Sequence, residues 1–124
     1  MQQENAPRDI NERTFSFAVE IVQICENLTA KPGVARTLGR QLLRSGTSVG
    51  ANIEEAQAAQ SSADFISKCT IALKESRETV YWLRLIQASR CANGSFDVAL
   101  KEADELSRII GSIVVRTKSA SKKR

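Results

Sequence analysis

There is no histidine anywhere in the 124 residues. That removes the commonest metal ligand and the base of a Ser–His pair. Cysteine is scarce as well. The three residues, at 25, 69 and 91, are odd in number, widely spaced and without a CxxC pair. A structural zinc site is excluded on that pattern. Cys25 and Cys69 fall on apolar helical stripes and are expected to be reduced core residues. Aromatics make up only 5% of the chain, so the core must be built from aliphatic and small side chains. No segment approaches the roughly 18 apolar residues that span a membrane. The start, Met1 to Pro7, is polar and has no apolar signal region. A cytoplasmic protein without a membrane partner is expected. Neither a Walker nor a dinucleotide glycine motif occurs. With the triad, the zinc site and the nucleotide loops gone, the expectation is a non-enzymatic protein that needs no cofactor.

What is present is helical periodicity. Asp9 stands three residues before Glu12, a capping box that opens helix 1 over 10–30. Phe15, Ala18, Val22 and Cys25 form one apolar stripe, and Phe17, Ile21, Ile24 and Leu28 a second. Lys31-Pro32-Gly33 ends it. Helix 2 is predicted over 34–60, with a heptad-like seam of Leu38, Leu42, Ser45, Val49, Ile53 and Ala56. Ser61 and Ser62 signal a cap for helix 3 over 63–90, whose seam is Phe65, Cys69, Leu73, Ser76, Val80 and Leu83. Asn93-Gly94-Ser95 is a turn, with Ser95 capping helix 4. That helix carries Ala99, Ala103, Leu106, Ile110, Ile113 and Thr117. Short loops imply antiparallel neighbours, hence an all-α, up-down-up-down four-helix bundle. The expected organisation is a disordered 1–9, a bundle over 10–118 and a basic flexible tail over 119–124.

Helix 2 holds Gly39, Gly46 and Gly50 beside its seam. Glycine inside a helix costs about 1 kcal/mol relative to alanine, so close approach of another backbone must offset it. A four-helix bundle needs one apolar face per helix, and helix 1 has two stripes. The surplus apolar and small surface is expected between subunits of a closed homo-oligomer. Adjacent Tyr81 and Trp82 point about 100° apart on a helix, so one of them is expected at such an interface or at the core edge.

A polar stripe also runs along helix 2, through Gln41, Arg44, Ser48, Asn52 and Glu55. Glu75 and Glu78 lie on helix 3. Di-iron bundles need Glu-x-x-His motifs, so the missing histidines exclude that chemistry. The bland reading is a buried structural network in which Arg44 faces Glu75 or Glu78 and Asn52 fixes register. A ligand site is the alternative.

Charge is unevenly placed. The net charge is +4, from 18 basic and 14 acidic residues. Arg116, Lys118, Lys122, Lys123 and Arg124 supply five of the positives; without them 13 basic face 14 acidic residues, a net of −1. Arg36, Arg40 and Arg44 recur every four residues, inside a stretch from Lys31 to Ile53 without an acid. This stripe and the basic tail are candidate contacts to the phosphates of RNA or DNA. A solvated face with ion pairs is the alternative. Few aromatics interleave with the cations, so base stacking is not signalled.

The block Arg44-Ser45-Gly46-Thr47-Ser48-Val49-Gly50-Ala51-Asn52-Ile53-Glu54-Glu55-Ala56-Gln57 resembles the signature of the four-helix-bundle proteins encoded in 23S ribosomal RNA intervening sequences. Asp64-Phe65-Ile66 and the run Ala72-Leu73-Lys74-Glu75-Ser76-Arg77-Glu78-Thr79-Val80-Tyr81-Trp82-Leu83-Arg84-Leu85 agree. The resemblance covers about 15–118. It departs from the commonest pattern Asn-Ile-Ala-Glu-Gly, since Asn52-Ile53-Glu54-Glu55-Ala56 stands here. Gly33-Val34-Ala35-Arg36 and Ile110-Gly111-Ser112-Ile113 are similar to the accessory variability determinant of diversity-generating retroelements. The resemblance implies a ring-like homopentamer. Through the retroelement protein it also implies a basic surface for nucleic acid and a reverse transcriptase partner. The expected function is thus a homo-oligomeric adaptor for nucleic acid or a nucleoprotein. A scaffold for another polypeptide, without nucleic acid, is the alternative.

Overall fold

The computed structural model describes residues 9–122. Four helices follow in order: α1 (Asp9–Leu28), α2 (Val34–Gln57), α3 (Ser62–Ser89) and α4 (Asp97–Lys122). Contacts across the helices run in opposite senses. Thr14, Ile21 and Leu28 of α1 lie against Gly50, Gly46 and Gly39 of α2. Ser45 meets Thr79, and Ser76 meets Ser107. With Glu55 on Lys68 and Gln87 on Asp97 further along, each sequence neighbour is antiparallel, so the chain is a four-helix bundle. α2 and α3 form its middle; α4 packs mainly on α3, and α1 mainly on α2. Contact between α1 and α4 is slight. Among the described residues, no helix is long and apolar enough to cross a membrane.

Local chemistry sets the helix ends. Gly33 sits at φ 137°, where a side chain would be strained, and turns the chain into α2 after Pro32. The Ser61 hydroxyl accepts from the Asp64 N–H at 3.1 Å and caps α3. Arg90 adopts the left-handed region, φ 57°, and closes α3. Ser95 Oγ accepts from the Asp97 N–H, while Gln87 Oε1 takes the Phe96 N–H at 2.7 Å. The Asp9–Glu12 box rests on the Asp9 side chain, which lies outside the described residues. α2 stops three residues short of the expected Gln60. α4 runs past Thr117 through Lys122, so Ser119 to Lys122 of the expected tail is helical. Lys123 and Arg124 lie outside the described residues, as do residues 1–8.

The interior is aliphatic, as the shortage of aromatics requires: Ile21, Leu42, Val49, Ile53, Leu83, Ile86, Leu106 and Ile110, with Phe17. Cys25 and Cys69 are buried and unbridged. Burial pushes the Cys25 thiol up to about 11 and raises that of Cys69, so both stay protonated. Of the two stripes expected on α1, the second turns inward: Phe17, Ile21 and Leu28 are buried and Ile24 is half-buried. The first splits: its Cys25 is buried and Ala18 half-buried, while Phe15, 68% exposed, and Val22 face out beside Val19.

The glycines of α2 correct an expectation. They sit inside the protomer, against α1, not between subunits. A methyl group on Gly46 would stand 2.7 Å from Ile21, and one on Gly39 2.8 Å from Leu28. At Gly50 it would stand 3.1 Å from the Thr14 carbonyl oxygen, which is main chain and cannot swing away. Thr14 gains its burial there, its hydroxyl donating to Ile10 O at 2.8 Å.

Candidate nucleic-acid interface

The three arginines spaced by four on α2 do three different things. Arg36 donates from Nε to the Thr29 carbonyl at 3.1 Å, just past the end of α1. A cation there suits the negative end of that helix. Arg44 reaches across to α3, with Nη1 on Glu75 at 3.2 Å and Nη2 on Glu78. Of these three, only Arg40 is exposed without an ion pair among the described residues.

The polar network is smaller than its five members suggested. Trp82 Nε1 donates to Glu78 Oε2 at 2.9 Å, which joins Trp82 to the Arg44–Glu75–Glu78 cluster. Asn52 donates to Ser48 O one turn back on its own helix, and Glu55 pairs with Lys68 at 3.0 Å. Neither joins Arg44. The cluster is also not buried: the Arg44 side chain is 49% exposed, and those of Glu75 and Glu78 are 16% and 31% exposed. The cost of removing one partner therefore falls from the several kcal/mol of a buried pair to about 1 kcal/mol.

The Trp82 hydrogen bond and the Arg44 contact hold the Glu78 carboxyl below its ordinary 4.5, against a smaller opposing effect of burial. A carboxyl lowered by folding stabilises the fold above its unfolded pKa and loses that contribution as pH falls through the folded value. Between about pH 5 and pH 3, the wild type should therefore lose melting temperature faster than Glu78→Gln. Parallel slopes in thermal melts would exclude this cluster as an acid-sensitive element.

Tyr81 and Trp82 point apart along the helix, as their adjacency requires, yet their rings meet edge to face with centroids 5.1 Å apart. Tyr81 is 54% exposed and Trp82 half-buried. Ile71 also reaches solvent, on the same helix.

On α4, Lys118 and Lys122 are exposed and Arg116 donates to its own Ser112 carbonyl at 3.4 Å. Arg77 and Arg108, which the sequence reading passed over, line one cleft between α3 and α4. The signal that could have found them is the spacing of seven that joins Arg77 to Arg84 and Lys101 to Arg108, each on one helix face. Among the described residues, no group of histidine, cysteine and carboxylate side chains is arranged to hold a metal.

A family model described as 23S rRNA-intervening sequence protein matches residues 8–112. The chain belongs to this family. A crystal structure of a protein of unknown function from the S23 ribosomal protein family of Bacteroides thetaiotaomicron is similar in sequence and in shape. Identity is 39%, the TM-score is 0.78, and the match covers 86% of this chain and 96% of that one. No curated protein matches. The retroelement accessory protein is named by neither comparison. For this member of the intervening-sequence family, the Arg44-to-Gln57 and Ala72-to-Leu85 blocks form the facing middle helices. Their family-like residues Ser45, Thr79, Arg44, Glu75, Glu78 and Trp82 touch one another.

Proposed function

We propose that this intervening-sequence family member is a non-enzymatic, homo-oligomeric adaptor in the cytoplasm. It binds nucleic acid, or a nucleoprotein partner such as a reverse transcriptase, through its basic surface. One observation carries the reading. Arg40, Arg116, Lys118 and Lys122 are exposed and make no ion pair among the described residues. Unspent cations on a stable helical scaffold suit phosphates. Arg36 and Arg44 leave the candidate set, because α1 and α3 employ them. The exposed Phe15, Val19 and Val22 stripe supports self-association; the number five comes from the family resemblance alone.

Anisotropy titration with a structured RNA and a DNA duplex should show binding at about 50 mM salt that weakens steeply on adding salt, because each phosphate contact releases a counterion. Absent binding, or binding indifferent to salt, would refute it. The second reading, a scaffold for another polypeptide, is favoured by the exposed Tyr81, whose ring meets Trp82 next to the Arg44 cluster, a composition enriched at protein interfaces. Under that reading Tyr81→Ala abolishes partner capture, while loss of residues 119–124 leaves it intact.

A further inference from the structure

The second half of α4 is a basic, acid-free ridge on the described surface. From Leu106 to Lys122 there is no acidic residue. Arg108, Ser112, Val115, Ser119 and Lys122 recur at spacings of four and three, so they share one face, and all are exposed. Arg116 and Lys118 flank them. From Arg108 to Lys122 the face is about 21 Å long at a rise of 1.5 Å per residue.

Two clefts border this ridge, each about 340 Å³. One lies between α3 and α4 and is lined by Arg77, Ser107, Arg108 and Gly111, with Asp104 and Val80. The other holds Arg108, Ser112 and Arg116, with Glu105. In the first cleft Asp104 and Arg108 pair at 2.5 Å and offset each other's charge, an exposed pair weak enough for a phosphate to displace the carboxylate; Glu105 pairs with Arg13 at 3.0 Å. Arg77 has no ion pair among the described residues, which leaves the first cleft positive. Gly111 supplies the independent sign. Unlike Gly39, Gly46 and Gly50, it is not needed for packing, because a methyl there would meet only Leu73, at 3.9 Å. Its missing side chain keeps the cleft open.

We propose that this face of α4 lies along double-stranded RNA, with a backbone phosphate seated between Arg77 and Arg108 over Gly111. The proposal rests on the nucleic-acid reading above and says where, and to what, the protein binds. Single strands are held by stacking on aromatics, and α4 has none. The bidentate contacts that discriminate bases in a DNA major groove come from Arg, Lys, Asn or Gln side chains; here Ser112, Val115 and Ser119 occupy the centre of the face. Short hydroxyls flanked by cations suit the wide, shallow minor groove of RNA, which presents 2′-hydroxyls between two phosphate rows.

The test is anisotropy with the full chain and a labelled RNA duplex of roughly 16 base pairs, beside the same sequence as DNA duplex and as single-stranded RNA. Arg77→Gln/Arg108→Gln should weaken RNA-duplex binding at least about tenfold and reduce the log–log salt slope by about two. Gly111→Leu should weaken it similarly without lowering the melting temperature. If the wild type binds and neither variant changes affinity or slope, the α4 site is overturned while the nucleic-acid reading stands. Equal affinity for the DNA duplex or the single strand overturns the choice of partner. No binding of any of the three at about 50 mM salt removes both.

Discussion

Gly46→Ala and Gly111→Ala should move stability in opposite directions, although both replace a helical glycine by the best helix former. At Gly111 the added methyl makes only ordinary contact with Leu73, at 3.9 Å, so the helix preference of about 1 kcal/mol appears as a gain. At Gly46 the same atom arrives 2.7 Å from Ile21, a fully buried side chain that the core holds in place. Overpacking of this kind costs about 1–3 kcal/mol and cancels the propensity gain. Gly46→Leu should go further and unfold the bundle or part α1 from α2. Urea titration followed by circular dichroism reads both, with the midpoint rising for Gly111→Ala and falling for Gly46→Ala. A rise in both would mean that α1 and α2 do not touch at Gly46.

The second large effect concerns mass. Phe15, Val19 and Val22 form an exposed apolar stripe on α1, of a kind a soluble chain rarely leaves open. The wild type should sediment as a closed oligomer, and Phe15→Glu/Val22→Glu as a monomer with unchanged helical content. Both residues point to solvent in the single chain, so the substitution leaves the core alone. A monomeric wild type at micromolar concentration would refute the interface. A dimer or tetramer would refute only the borrowed five.

The helices were legible because proline, glycine and serine punctuate them: Pro32-Gly33 opens α2, Ser61 caps α3, and Ser95 stands two residues before α4. The core lines were less so. On α3 the expected seam shared Cys69, Ser76 and Leu83 with the buried line but also ran through the large residues Phe65, Leu73 and Val80, which are only half-buried. The buried line is Cys69, Ala72, Ser76, Thr79, Leu83 and Ile86. Small and hydroxyl residues carry little hydrophobic signal, yet they win here because α3 is crowded by α2 and α4. Thr79 Oγ1 lies 2.8 Å from Glu75 O and 2.9 Å from Ser45 Oγ, and Ser76 Oγ lies 2.7 Å from Ser107 Oγ, so their polar atoms are satisfied inside. The α2 glycines announced a close approach, but spacing alone cannot say whether the neighbour belongs to the same chain. The arginine stripe misled for a similar reason: a period of four puts Arg36, Arg40 and Arg44 on one side of the helix, and the helix ends and carboxylates they meet come from distant sequence.

α1 leans on α2 and meets α4 chiefly through the pairs of Arg13 with Glu102 and Glu105, and it also carries the open Phe15 stripe. As an outer helix packed mainly on one neighbour, it should exchange its amides with solvent sooner than the middle helices α2 and α3. A second copy of the chain seated on that stripe would hold α1 down. Subunit concentration would then set the protection of α1 by mass action, coupling the docking of an outer helix to the state of assembly.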